Sequence, residues 1–102
     1  MNKRRDNNQM RSHLLILVMH VIKIHAEKRK TGSWQNSIRY SLKGINKLNN
    51  RGVDFDIELE EVFEDALEYA SLEINGGCNK KVVLSLIDKD LVLLSCKLLI
   101  DL

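Results

Sequence analysis

A small all-α bundle, three core helices plus a fourth apolar C-terminal helix, is the fold class this sequence predicts. Three observations predict it. Proline is absent from 102 residues and glycine occurs only five times, which disfavours a turn-rich β fold. Apolar residues recur at helical spacing in three separate segments, and short turn signals part them. The length suits one domain with an adequate core, here residues 1–102 with a frayed start over 1–10.

The first helix is expected from about Arg11 to Lys28. Leu14 to Met19 is solidly apolar and Val21, Ile22 and Ile24 continue it, so the helix is apolar around most of its circumference, as a central helix is. Lys28, Arg29 and Lys30 then supply cations where the helix dipole is negative. Thr31 and Gly32 stop it, and Ser33 is a natural N-cap for the second helix. Trp34, Ile38, Leu42, Ile45 and Leu48 follow at steps of four, four, three and three, one apolar face anchored by the tryptophan. "NNRGVD" from Asn49 breaks that helix, and Asp54 or Asp56 caps a third running to about Ile74. Leu59, Val62, Phe63, Ala66, Ala70 and Glu73 share its inner side.

After "NGG" the tail from Lys80 reads as a fourth helix or as a hairpin turning at "DKD". Short apolar runs do not separate the two. Length and the spacing of Val83, Leu86, Ile87, Leu91, Leu94 and Leu98 favour the helix.

The net charge of +2 hides a strong segregation. Residues 1–51 hold twelve Lys/Arg against two acids, whereas residues 52–74 hold nine Asp/Glu and no base. Basic and acidic helices lying side by side account for this; a nucleic-acid face is the alternative. The candidate face comprises Lys28, Arg29, Lys30, Arg39, Lys43 and Lys47, with Trp34 and Tyr40 near for stacking, and its affinity would fall steeply with salt.

Chemistry is poorly represented. His13 and His20 are seven apart, about 10 Å along a helix axis, too far for one metal. His20 and His25 are five apart and diverge, and no H-E-x-x-H occurs. Cys78 and Cys96 form no C-x-x-C and read as free thiols of a reducing compartment. Glu60, Glu61, Glu64 and Asp65 read as a solvated helix face. The expectation is a non-enzymatic interaction or structural module without metal or cofactor, whose surplus apolar tail points to self-association or a protein partner. The basic start and the run "LLILVMHVIKI" imitate a signal peptide. However, His20 and Lys23 interrupt the run, no cleavage site follows, and eleven residues cannot span a bilayer needing about 20. A cytoplasmic location is expected, with no membrane partner.

The stretch "HVIKIHAEKRKTGSWQNSIR" resembles the bacterial domain of unknown function 29 family. His20, Lys23, Arg29, Ser33, Trp34, Ile38 and Arg39 stand at the family's positions. "VFEDALEYASLE" matches it through Phe63, Asp65, Ala66, Ala70 and Glu73. The resemblance covers about residues 11–74 and implies an all-α bacterial domain, with no activity attached. Relative to the family pattern the chain is expected to be truncated at its N-terminus and divergent after Gly77. Of the signature residues His20, Lys23, Ser33, Trp34, Ile38, Phe63 and Ala66, Trp34 is expected to anchor the core, its loss costing roughly 3–5 kcal/mol.

Overall fold

The computed structural model describes residues 3–101 and contains five α-helices joined by short connections. These are α1 (Lys3–Glu27), α2 (Gly32–Asn49), α3 (Asp56–Glu73), α4 (Lys80–Leu86) and α5 (Lys89–Asp101), with a single 3-10 turn, Ile74–Gly76, after α3. No strand occurs among the described residues, which settles the tail as helical.

α1 packs against every other element and is the hub of the bundle. Met10, Leu14, Leu17, Val18 and Ile22 are fully enclosed. Leu15, Met19, Ile24 and Ala26 are partly covered from other directions, as the nearly circumferential apolar run requires. α2 contributes Ile38, Ile45 and Leu48 to this core, and α3 contributes Leu59, Val62, Phe63, Ala66, Leu67 and Ala70. The hydroxyls that share the interior are satisfied within their own helices: Ser41 donates to the Ser37 carbonyl (2.8 Å) and Ser71 to the Leu67 carbonyl (2.6 Å).

The segregated charges meet between helices. Arg11 of α1 bonds both Glu58 (3.0 Å) and Glu61 (2.7 Å) of α3, and Lys23 pairs with Glu73 at the other end of the same interface. The acidic third helix therefore lies against the basic first one.

Four boundaries differ from the sequence expectation, in position or in the residue that makes them. The start is helical from Lys3 rather than frayed over 1–10, because Asp6 reaches Arg51 (3.6 Å) and Met10 is buried, tying that turn down. α1 ends at about Lys28 as expected, but Lys28 itself makes the stop rather than Thr31–Gly32: it adopts φ 56° while its amide donates to the Ile24 carbonyl (2.8 Å). A lysine in that left-handed conformation costs about 1–2 kcal/mol. Thr31, not Ser33, caps α2: it is extended and its hydroxyl accepts from the Trp34 amide at 3.1 Å, while Ser33 is exposed within the first turn. α3 has Phe55, rather than Asp54, at its N-cap position, with no side-chain cap hydrogen bond; the side chain of Asp56, the other expected cap, lies outside the described residues.

The tail is two helices rather than one. Ile87 is extended, and the Asp88 carboxylate accepts from the amides of Asp90 (3.0 Å) and Leu91 (3.3 Å), opening a new helix. The break resets the helical phase. Val83 is buried, but α5 turns Val92, Leu93, Cys96 and Ile100 inward, and Leu86, Leu91, Leu94 and Leu98 are exposed. Extrapolating one continuous helix through the break selected the opposite face of α5.

Candidate functional site

The six cations of the proposed basic face are all exposed. Lys28, Arg29 and Lys30 sit in the α1–α2 connection. Arg29 is already engaged: its guanidinium bonds Glu27 (3.2 Å) and lies 5.2 Å from the centre of the Trp34 ring. Lys23 approaches the same ring at 5.5 Å. Trp34 is thus half-buried beneath two cations rather than sunk in the core. Tyr40, six residues on along α2, is turned about 120° from it around the helix axis.

Arg39, Lys43 and Lys47 run along α2 at intervals of four, about 6 Å per step. Two clefts divide them. A cleft of about 1280 Å³, between the first half of α1 and the second half of α2, takes Lys43 and Lys47 together with Arg5, Arg51, His13 and Tyr40. A second, of about 760 Å³, is bounded by α1, α2 and α5; Val21, Ile24, Leu42 and Leu98 give it apolar walls, and Lys30 and Arg39 also line it.

α1 and α2 approach closely at one side of the first cleft. Gly44 lies against the His13 imidazole, and a Cβ at that position would stand 2.4 Å from Nε2. His13 meets Tyr40 edge-on at 5.8 Å between ring centres. Its Nδ1 is covered from solvent and has no hydrogen-bond partner among the described residues. Arg5, Arg51 and His13 were outside the sequence reading of the site. Arg5 lay in a segment read as frayed, Arg51 in a helix break, and the one signal available was the unexplained glycine at position 44.

Five of the seven signature residues, His20, Lys23, Ile38, Phe63 and Ala66, are buried, whereas Ser33 is exposed and Trp34 half-buried. His20 is buried, its Nδ1 donating to the Ile16 carbonyl (2.8 Å), which leaves Nε2 as the acceptor in the neutral ring. Lys23 is buried along its stem and pairs with Glu73. Ile38, Phe63 and Ala66 are core.

Both cysteines are free thiols; Cys96 is enclosed, and burial pushes its pKa up to about 12, so it stays neutral and unreactive at ordinary pH. Among the described residues no group of three or more His, Cys, Asp or Glu is placed to hold a metal ion. No helix is long and apolar enough to cross a membrane.

A larger feature lies on α5. Leu91, Leu94 and Leu98, between 51% and 60% exposed, fall at steps of three and four on the side away from the core. One flank of this stripe carries Asp90 and Lys97, seven residues apart and opposite in charge. Leu98 also lines the second cleft, so stripe and cleft share one surface.

No curated protein and no solved structure matches the chain. One family model does match, over residues 2–82, reaching further in both directions than the 11–74 of the resemblance and ending within α4. The residues that carried the resemblance include the α1–α2 corner and, on α3, the buried Phe63, Ala66 and Ala70, and the chain belongs to the family described as Domain of unknown function DUF29.

Proposed function

We propose that this chain is a non-enzymatic helical interaction module that pairs with a second copy of itself through α5. The observation that carries this reading is the Leu91–Leu94–Leu98 stripe, a three–four repeat on a helix whose opposite side is already buried. That repeat is the seam by which helices pack on one another in water. A second copy is favoured over an unrelated partner by the flanking charges. When two α5 helices run antiparallel about a twofold axis near Leu94, Asp90 of each falls beside Lys97 of the other, and the stripe meets itself. Burying three leucines per copy is worth on the order of 1.5–3 kcal/mol for each side chain fully covered.

Sedimentation equilibrium of the purified chain tests this. The expected result is a concentration-dependent dimer for the parent and a monomer for Leu94→Lys, with unchanged helical circular dichroism. A parent that remains monomeric into the high micromolar range contradicts it.

A second reading, nucleic-acid binding at the α1–α2 corner, draws support from the exposure of Lys28, Arg29 and Lys30. It is weakened by the engagement of Arg29 with Glu27 and Trp34. Comigration with duplex DNA at about 50 mM salt, lost by about 200 mM, would favour it.

A further inference from the structure

We propose that the cleft between α1 and α2 binds an anion carrying consecutive phosphates, a function separate from α5 pairing and independent of it. Among the described residues, Lys43 and Lys47 from α2 line this cleft together with Arg5 from α1 and Arg51 from the turn that follows. Asp6, the carboxylate among the described lining residues, is largely covered and held 3.6 Å from Arg51, not from either lysine. Neither Lys43 nor Lys47 forms an ion pair among the described residues. α2 itself contains no acidic residue to neutralise them. Elsewhere the fold shows that cations near α1 can be matched by carboxylates, as Arg11 is by Glu58 and Glu61, so the bare lysines of this cleft are a local arrangement.

The spacing speaks to the ligand. Lys43 and Lys47 are one turn apart, about 6 Å along the axis, and Arg51 continues the line beyond the helix end. A single phosphate is spanned by one such step; a chain of two or more phosphates engages the whole row. Lysine ammonium groups suit this task as mobile point charges, and an arginine adds a planar fork for paired oxygens. The second, independent observation is His13. It lines the same cleft, pinned there by Gly44 and by Tyr40, and its enclosed Nδ1 lacks a hydrogen-bond partner among the described residues. A buried polar atom without a partner is costly in a native fold, so His13 is the polar group of this cleft that still lacks a partner among the described residues. Tyr40, 65% exposed, offers a ring face at the edge where a base carried by those phosphates would lie.

Consecutive phosphates occur both in short polyphosphates and nucleotides and in the backbone of single-stranded nucleic acid, and three probes separate these sources. Titration calorimetry of the full chain at about 50 mM salt is run with tripolyphosphate, with ATP and with a short oligothymidylate. The charge-reversed pair Lys43→Glu/Lys47→Glu and the milder Lys43→Gln/Lys47→Gln are compared with a control of equal charge change on α4, Lys80→Glu/Lys81→Glu. Saturable binding of at least one probe, weakened about tenfold or more by the Lys43/Lys47 substitutions and changed less than about twofold by the control, supports the site. A preference for tripolyphosphate or ATP identifies a free polyphosphate, and a preference for the oligonucleotide identifies a strand. Absence of binding by all three probes, or binding that the Lys80/Lys81 control weakens equally, overturns the proposal. Circular dichroism on every variant separates lost binding from lost fold, and the Gln pair retains a test if the Glu pair unfolds.

Discussion

Gly44 and His13 show how one missing methyl group shapes this surface. A Cβ on Gly44 would overlap the imidazole, so Gly44→Ala forces the ring out of its covered position. The expected cost is about 1–3 kcal/mol in urea denaturation, despite the gain of up to about 1 kcal/mol that alanine brings to a helix interior. In a His13→Ala background the obstruction is gone, and the same glycine substitution is expected to stabilise. Additive effects in that double-mutant cycle would mean that the two residues do not touch. Trp34 calls for a smaller figure than its sequence position implied. With one part of the ring open and cations at 5.2 and 5.5 Å, Trp34→Ala should cost about 1–3 kcal/mol, below the roughly 3–5 of a fully buried aromatic. A loss above about 4 kcal/mol in the same assay would place the ring in the core after all.

At the scale of elements, the first three helices were legible because each carries a stop the chain obeys and a continuous apolar phase. Ile38, Ile45, Leu48, Leu59, Val62 and Phe63 are buried as their spacing predicts. What periodicity misplaced was the interruption: Ile87 and Asp88 change the phase between α4 and α5, and no spacing argument carried across them survives. The cap of α2 was misplaced for a related reason. Thr31 and Ser33 are both competent hydroxyls, and the left-handed turn at Lys28 is what brings Thr31 into the capping position.

The corrected phase of α5 has a measurable consequence. Cys96 faces inward and keeps its proton up to about pH 12, whereas in the unfolded chain it releases it near 9.0. Between those values the unfolded state binds fewer protons than the folded one. Stability attributable to Cys96 is therefore complete below about pH 9 and falls as pH rises, by up to about 1.4 kcal/mol per unit. Cys96→Ala is expected to show a shallower decline between about pH 9 and 10.5 in chemical denaturation. An identical decline would place Cys96 in contact with solvent.

The whole molecule has two unequal ends to its charge and apolar surface. Acids of α3 are spent partly on Arg11 and Lys23, which holds α3 to α1 and leaves the α2 side basic. The leucines of α5 remain uncovered opposite the core. That division was legible in the sequence as segregated charge and surplus tail hydrophobicity. The grouping of Lys43 and Lys47 with Arg5 and Arg51 was not, because it depends on how α1 and α2 meet at Gly44.

Self-pairing through α5 is the central claim, and a charge-swap series followed by sedimentation tests it most directly. Asp90→Lys alone and Lys97→Asp alone each set like charges against each other at both ends of the twofold seam, and each is expected to weaken the dimer several-fold at low salt. The double swap, Asp90→Lys with Lys97→Asp, restores opposite charges across the seam and is expected to recover the parent dissociation constant. Equal weakening in the single and double variants, or no dimer in any of them, would contradict an antiparallel pairing of α5 with itself.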